Sequence, residues 1–320
     1  MHIVVLDDFE NALSILKTNT TITEKATLEI HSQRLQGDAL LSALKPADVI
    51  VMNRDRTPLR KSLLDQLPNL KYVVFTGSRN LLIDYDVLEE RKIPISYTEF
   101  GPSKETTVEL TWALILAAYK RVGEQSQLIQ DGQWRNQYSV LPALIGERLG
   151  VLGLGNIGAK VAKVGLAFGM DVVTWSPNMT PARAAEHGVQ SVSKEELLST
   201  SKIVTLHLVP GETTRGIMNA KTLSMMREDA LLVNTSRSTL IQTADLVAAL
   251  KLGKPGMAAL DVYDDEPLPL DDPLRQLSNI LMTPHLGFVS QPVYKKLSTG
   301  TVNALEAWVR GDPLVTLVKK

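Results

Sequence analysis

The stretch GVLGLGNIGAKVAKVGLAFGMDVVTW, residues 150–175, constrains this chain more than any other. Gly153, Gly155 and Gly158 form G-x-G-x-x-G directly after an apolar, β-branched run and directly before a helical pattern. In that setting the first glycine permits the tight turn, the second lets backbone N–H groups approach a pyrophosphate, and the third lets the helix pack on the strand. Asn156 and Ile157 complete the loop, and the helix N-terminus behind it faces the phosphates. Such a strand–loop–helix unit predicts a parallel sheet that binds a dinucleotide.

The rest of the chain repeats this alternation in two blocks. His2 to Leu6, Ala26 to Ile30, Asp48 to Met52, Lys71 to Phe75 and Ile93 to Tyr97 read as short strands, with KSLLDQL and DYDVLEERK helical between them. One long helix is expected from about Ser103 to Asp131, breaking at Gly132, with Val108, Trp112, Ile115 and Tyr119 near one face. Beyond it, strands are expected at 148–154, 171–175, 202–208, 230–235, 256–262 and 279–284. Six strands with helices between most of them match a complete doubly wound sheet. Gln291 to Arg310 reads as an amphipathic helix leaving that sheet. Two domains suit a chain of 320 residues.

Composition narrows the partners. The 34 Lys and Arg balance 35 Asp and Glu, which gives no electrostatic reason to expect a nucleic acid or an anionic membrane. Small-molecule partners are favoured. There is no Cys, which excludes disulfides, thiolate metal sites and a cysteine nucleophile, and no H-E-x-x-H spacing supports a metal site. The most apolar helical run, Thr111 to Tyr119, is well short of the roughly 20 residues needed to cross a bilayer. Met1 to Asp8 lacks the basic start and long apolar core of a signal peptide, so a cytoplasmic location is expected.

The acid that usually hydrogen-bonds the adenosine ribose stands about 20 residues after the glycine loop. Here Trp175, Ser176, Pro177 and Asn178 occupy the strand end instead, and the nearest Arg is Arg183. NAD and NADP both stay open, with a lean to NAD because no Arg adjoins Ser176.

Three polar residues follow successive expected strands, at the edge where open α/β sheets bind their ligands: Arg237 in LLVNTSR, Glu266 in LDVYDDEP and His285 in LMTPH. An Arg can fork onto a carboxylate, a His can exchange a proton near neutral pH, and a Glu can orient and charge that His. Taken singly, each also reads as an ordinary surface or loop residue. His207, inside IVTLHLV, reads as a packed strand-end residue, and His2, His31 and His187 as structural or solvent-facing.

GERLGVLGLGNIGAKVA, LLVNTSRSTLIQTADLVAALKLGKPGMAALDVYDDEPLPLDDPL and NILMTPHLG together resemble the D-isomer-specific 2-hydroxyacid dehydrogenase family. The similarity extends to TGSRNLLIDYDVL and TTVELTWALILA, and so over almost the whole chain. The resemblance implies an α/β architecture of two doubly wound parallel-sheet domains, with a Rossmann-type cofactor domain (100–287) inserted into a flavodoxin-like substrate domain (1–99 and 288–320). It implies hydride transfer between NAD(P)H and a 2-oxo acid or D-2-hydroxy acid, on glyoxylate-like, hydroxypyruvate-like or phosphoglycerate-like substrates. It makes Arg237 the binder of substrate carboxylate and carbonyl, His285 the acid/base and Glu266 its partner. Asp261 would contact the nicotinamide carboxamide, with Asn234 and Thr235 beside the ring. The backbone around Gly77 and Ser78 would bind the substrate carboxylate, with Asn53 and Arg54 as weaker candidates at a neighbouring strand end. A homodimer is expected. Glu266 stands where formate-oxidising relatives carry Gln, which argues against that activity. Leu208, Val209 and Phe288 depart from the family pattern, and Phe288 is expected to reshape the substrate pocket. The alternative is a dinucleotide-sensing scaffold like the family's corepressor branch, which could keep every one of these residues.

Overall fold

The alternating pattern resolves into two parallel sheets in the computed structural model, which describes residues 1–77, 80, 82–135 and 139–315. The chain divides into one unit of Met1–Pro102 with Ser290–Lys320 and a second of Ser103–Val289.

In the first unit, β1 (His2–Leu6), β2 (Thr27–Ile30), β3 (Val49–Asn53), β4 (Tyr72–Thr76) and β5 (Ile95–Tyr97) pair in parallel in the order β2-β1-β3-β4-β5. Ile3, Val4, Val5 and Leu6 are all buried, because apolar layers cover both faces of a parallel sheet. Val4, Leu6, Ile50 and Met52 enter one layer, and Ile3, Val5, Val49 and Val51 enter the other. A helix at Gln291–Arg310 closes the second layer through Ala304, Leu305 and Val309, and its Trp308 ring stacks on Tyr72 at 4.7 Å.

The second unit begins with helices where one was expected. The first, α1, spans Ser103–Tyr119; the next, α2, spans Val122–Gln130. Arg121 takes a left-handed backbone (φ 47°, ψ 41°) that ends the hydrogen-bond ladder. No Pro sits at the break, and the nearest glycine, Gly123, lies inside the next helix rather than at the left-handed residue. The apolar stripe of α1 is used as expected: Val108, Trp112, Ile115 and Tyr119 are buried, and the Trp112 indole N–H donates to Val161 O at 3.3 Å.

Seven parallel strands follow: β6 (Arg148–Leu152), β7 (Asp171–Trp175), β8 (Gln190–Ser191), β9 (Ile203–Leu206), β10 (Leu231–Asn234), β11 (Met257–Leu260) and β12 (Ile280–Met282). Their order among the described residues is β12-β11-β10-β9-β6-β7-β8. The six expected strands are present, and the seventh is the two-residue edge strand β8, too short to show a period. The order reverses between β6 and β9, so the carboxyl ends of those strands define the ligand-binding edge.

Candidate active site and cofactor loop

At the carboxyl end of β6 the glycine loop turns into helix α3 (Gly158–Ala167). Gly153 has φ +98°, and a Cβ there would stand 2.7 Å from the His207 carbonyl group. A Cβ on Gly158 would meet Gly153 O at 1.9 Å, so strand and helix approach this closely only with glycine. Gly155 is different: a Cβ there would meet nothing within 4 Å. No part of the fold needs the space that Gly155 leaves open at the start of α3, and it fits a pyrophosphate lying against the loop backbone. Asn156 is exposed beside it, and Ile157 is the half-buried residue that caps the helix.

Ser176 is half-buried directly after β7, and its carbonyl accepts from Met179 N in a turn. Arg183 reaches back over that turn, with Nη1 donating to Asn178 O at 2.8 Å.

The ends of β10, β11 and β12 carry the polar residues singled out above. Asn234 is fully buried and clamps the turn after β10: its Nδ2 donates to Arg237 O at 2.9 Å, and its Oδ1 accepts from Ser236 N at 3.0 Å. The Thr235 hydroxyl lies 2.7 Å from that of Thr111 on α1. Both side chains are therefore engaged within the fold and shape the floor of this edge. The Arg237 side chain is exposed, apart from a bond from Nη1 to Ser236 O at 2.7 Å.

His285 and Glu266, 19 residues apart in the chain, meet at 2.7 Å between Nδ1 and Oε2. The other carboxylate oxygen of Glu266 accepts from Tyr263 N at 3.0 Å. Burial pushes the Glu266 carboxyl up, but the hydrogen bond and charge of His285, the Tyr263 N–H and the Arg237 charge outweigh it, and its pKa lies below the ordinary value. An ionised Glu266 requires Nδ1 to carry the shared proton, which leaves Nε2 to exchange a proton with a ligand.

Asp261 explains how His285 is held. Its carboxylate is buried and accepts from the Thr283 hydroxyl, from Leu286 N at 2.8 Å and from Gly287 N at 2.9 Å. Gly287 O in turn accepts from the Thr106 and Thr107 hydroxyls of α1. These bonds pin the loop on both sides of His285, whose backbone is left-handed at φ 57°. In this structure Asp261 acts first as the loop's anchor. Sequence reasoning did not find Thr283, Thr106 or Tyr263, since a lone hydroxyl residue near a strand end or in the first turn of a helix has no distinguishing pattern. Phe288 stands edge-on to the imidazole, with ring centroids 5.5 Å apart.

In the first unit, Gly77 has φ +127°, and a Cβ there would overlap Arg54 Nη1 at 2.3 Å. Its N–H donates to the Thr98 hydroxyl at 3.0 Å. Ser78, expected beside it, lies outside the described residues. Asn53 donates to Leu6 O and accepts from the Thr76 hydroxyl across the sheet. Arg54 lies 3.9 Å over the Phe100 ring and bonds Thr76 O.

The other histidines match the packing reading. Burial pushes the His207 imidazole down to about 3, so it is neutral, and its Nε2 lies 2.9 Å from the Thr205 hydroxyl. His2 and His31 both contact Glu29, and His187 is exposed. No cluster among the described residues could hold a metal ion. No described helix is long and apolar enough to cross a membrane.

Comparison with known proteins agrees with this geometry. The sequence profile of the D-isomer specific 2-hydroxyacid dehydrogenase NAD binding domain matches residues 112–287. A glyoxylate reductase of Aeropyrum pernix is 33% identical over 291 residues, covering 88% of this chain and 86% of that one. A hydroxypyruvate reductase of Blautia hydrogenotrophica is 30% identical over 291 residues, covering 88% of each. The crystal structure of a phosphoglycerate oxidoreductase from Vibrio cholerae superposes with a TM-score of 0.84 at 32% identity, covering 97% of both chains. A glycine loop that leaves room for a pyrophosphate, a histidine–carboxylate pair on the same sheet edge and relatives aligned along nearly their whole length agree: this chain belongs to the D-isomer-specific 2-hydroxyacid dehydrogenase family.

Proposed function

We propose that this NAD(P)-dependent oxidoreductase reduces a small 2-oxo acid of the glyoxylate, hydroxypyruvate or phosphoglycerate type to the D-2-hydroxy acid, and catalyses the reverse, through Arg237, His285 and Glu266. The observation that carries the proposal is the 2.7 Å contact of His285 Nδ1 with an ionised Glu266, which leaves Nε2 as the proton-exchanging atom. The bound nicotinamide supplies the hydride for C2 of the acid. Arg237 forks onto the substrate carboxylate and polarises the carbonyl. His285 Nε2 gives its proton to the carbonyl oxygen as C2 gains the hydride, and Glu266 stabilises the imidazolium before that step. In oxidation the same nitrogen removes the hydroxyl proton.

Substrate-domain function is assigned to the unit containing β1–β5 and cofactor binding to the unit containing β6–β12. We further propose a cytoplasmic homodimer with no nucleic-acid partner. Five exposed apolar side chains, Val122, Ile129, Trp134, Val140 and Ile145, support the dimer: they lie within one short segment that includes α2, and α2 buries none of its own residues.

The test is a spectrophotometric screen of NADH and NADPH oxidation against a panel of 2-oxo acids, with His285→Gln as control. Turnover of at least one acid in the wild type, lost in the variant, supports the assignment. A wild type that binds cofactor but turns over none of the panel favours the scaffold reading.

A further inference from the structure

The end of β7 is where a Rossmann sheet distinguishes its two nicotinamide cofactors: a carboxylate there binds the ribose 2′-hydroxyl and repels a 2′-phosphate, and an Arg nearby accepts that phosphate. No Asp or Glu occurs from Trp175 to Ala185. The first carboxylate is Glu186, at the far end of a short helix of Pro181–Ala185, and no ion pair joins it to Arg183 among the described residues. Seven positions separate Arg183 from Ser176, which is why the sequence alone leans toward NAD. The fold turns Arg183 back onto Asn178, two residues after Ser176. The Thr180 hydroxyl caps the short helix by accepting from Arg183 N, and the guanidinium turns back to donate from Nη1 to Asn178 O at 2.8 Å. That bond uses one of the five N–H donors of a guanidinium that is exposed to solvent. A second cation lies beside the same strand end: Lys194 Nζ stands 5.4 Å from the centroid of the Trp175 ring, the residue before Ser176.

We infer that this chain selects NADP(H), with Arg183 gripping the adenosine 2′-phosphate beside the Ser176 hydroxyl and Lys194 adding positive potential. A guanidinium held by a backbone carbonyl has lost part of its side-chain freedom before the phosphate arrives, so less entropy opposes the charge-assisted bonds it then makes. The absence of a carboxylate removes the repulsion that would oppose them.

The test uses fragments of the adenosine half, so it does not depend on hydride transfer. Calorimetric titration of the whole protein with 2′,5′-ADP and with 5′-AMP is expected to show 2′,5′-ADP binding at least about tenfold tighter, an advantage that shrinks as salt is raised. Arg183→Gln is expected to remove most of that advantage and leave 5′-AMP binding unchanged, which also shows that the variant is folded. Ser176→Asp is expected to reverse the preference. Equal binding of the two fragments by the wild type, or Arg183→Gln weakening both alike, overturns the inference. A wild type that binds neither fragment overturns the assignment of the cofactor loop itself, and this inference with it.

Discussion

Replacing Glu266 by Gln removes one negative charge from beside His285 while keeping a side chain of the same length, whose carbonyl oxygen still accepts from Nδ1. The native contact is 2.7 Å, and the two side chains are 31% and 36% exposed, so solvent screens part of the attraction. A hydrogen bond to a charged group contributes about 1.5–3 kcal/mol and a neutral one about 0.5–1.5 kcal/mol, a difference of roughly 1–1.5 kcal/mol or about tenfold in rate. The sign follows from Glu266. Burial pushes its carboxyl up, but the bond from His285 helps to hold it below its ordinary 4.5, so it is ionised throughout the neutral range. The variant offers His285 a neutral acceptor where the native protein offers an ion. Reductive kcat/KM should therefore fall by about tenfold in Glu266→Gln, and oxidative kcat/KM should fall by the same factor, since the overall equilibrium is unchanged. The assay is kcat/KM in both directions at neutral pH, with a deuteride isotope effect confirming that chemistry limits the rate. Wild-type kcat/KM in the variant would refute the pairing.

Arg237→Lys should lower kcat/KM by about 100-fold or more with little change in melting temperature, because a point ammonium cannot reproduce a two-pronged grip and the native side chain is exposed; wild-type turnover in this variant would remove Arg237 from the site. Two glycine substitutions should separate folding from binding. Gly158→Ala places a methyl 1.9 Å from Gly153 O and should lower stability by about 1–3 kcal/mol in thermal melts. Gly155→Ala meets no protein atom and should leave the melt unchanged while weakening dinucleotide binding; equal melting losses in both would contradict the geometry. Phe288→Ala, which clears the ring standing edge-on to His285, should raise kcat/KM for bulky 2-oxo acids relative to glyoxylate, and an unchanged ratio would show that the ring does not limit substrate size.

Much of this molecule is determined locally and was legible without coordinates. A strand with both faces covered must be a run of apolar residues, as IVVL and VIVM are, and a turn that admits no Cβ must carry glycine, as at 153 and 158. Arg237, Glu266 and His285 could be picked out because residues directly after parallel strands share one edge of the sheet. What the chain could not reveal depends on contacts between distant residues or on a single backbone angle. The helix breaks at Arg121, two residues before the nearest glycine, and the two residues of β8 carry no period. Glu266 reaches His285 only because β11 and β12 lie side by side. No spacing announces that three donors of the His285 loop gather around Asp261, or that the Gly77 N–H is given to Thr98. Arg183 reaches Asn178 O only because a one-turn helix folds it back. Spacing along the chain reports local conformation, whereas the hydrogen-bond partner of a buried or folded-back side chain is chosen by which segments the sheet order brings together.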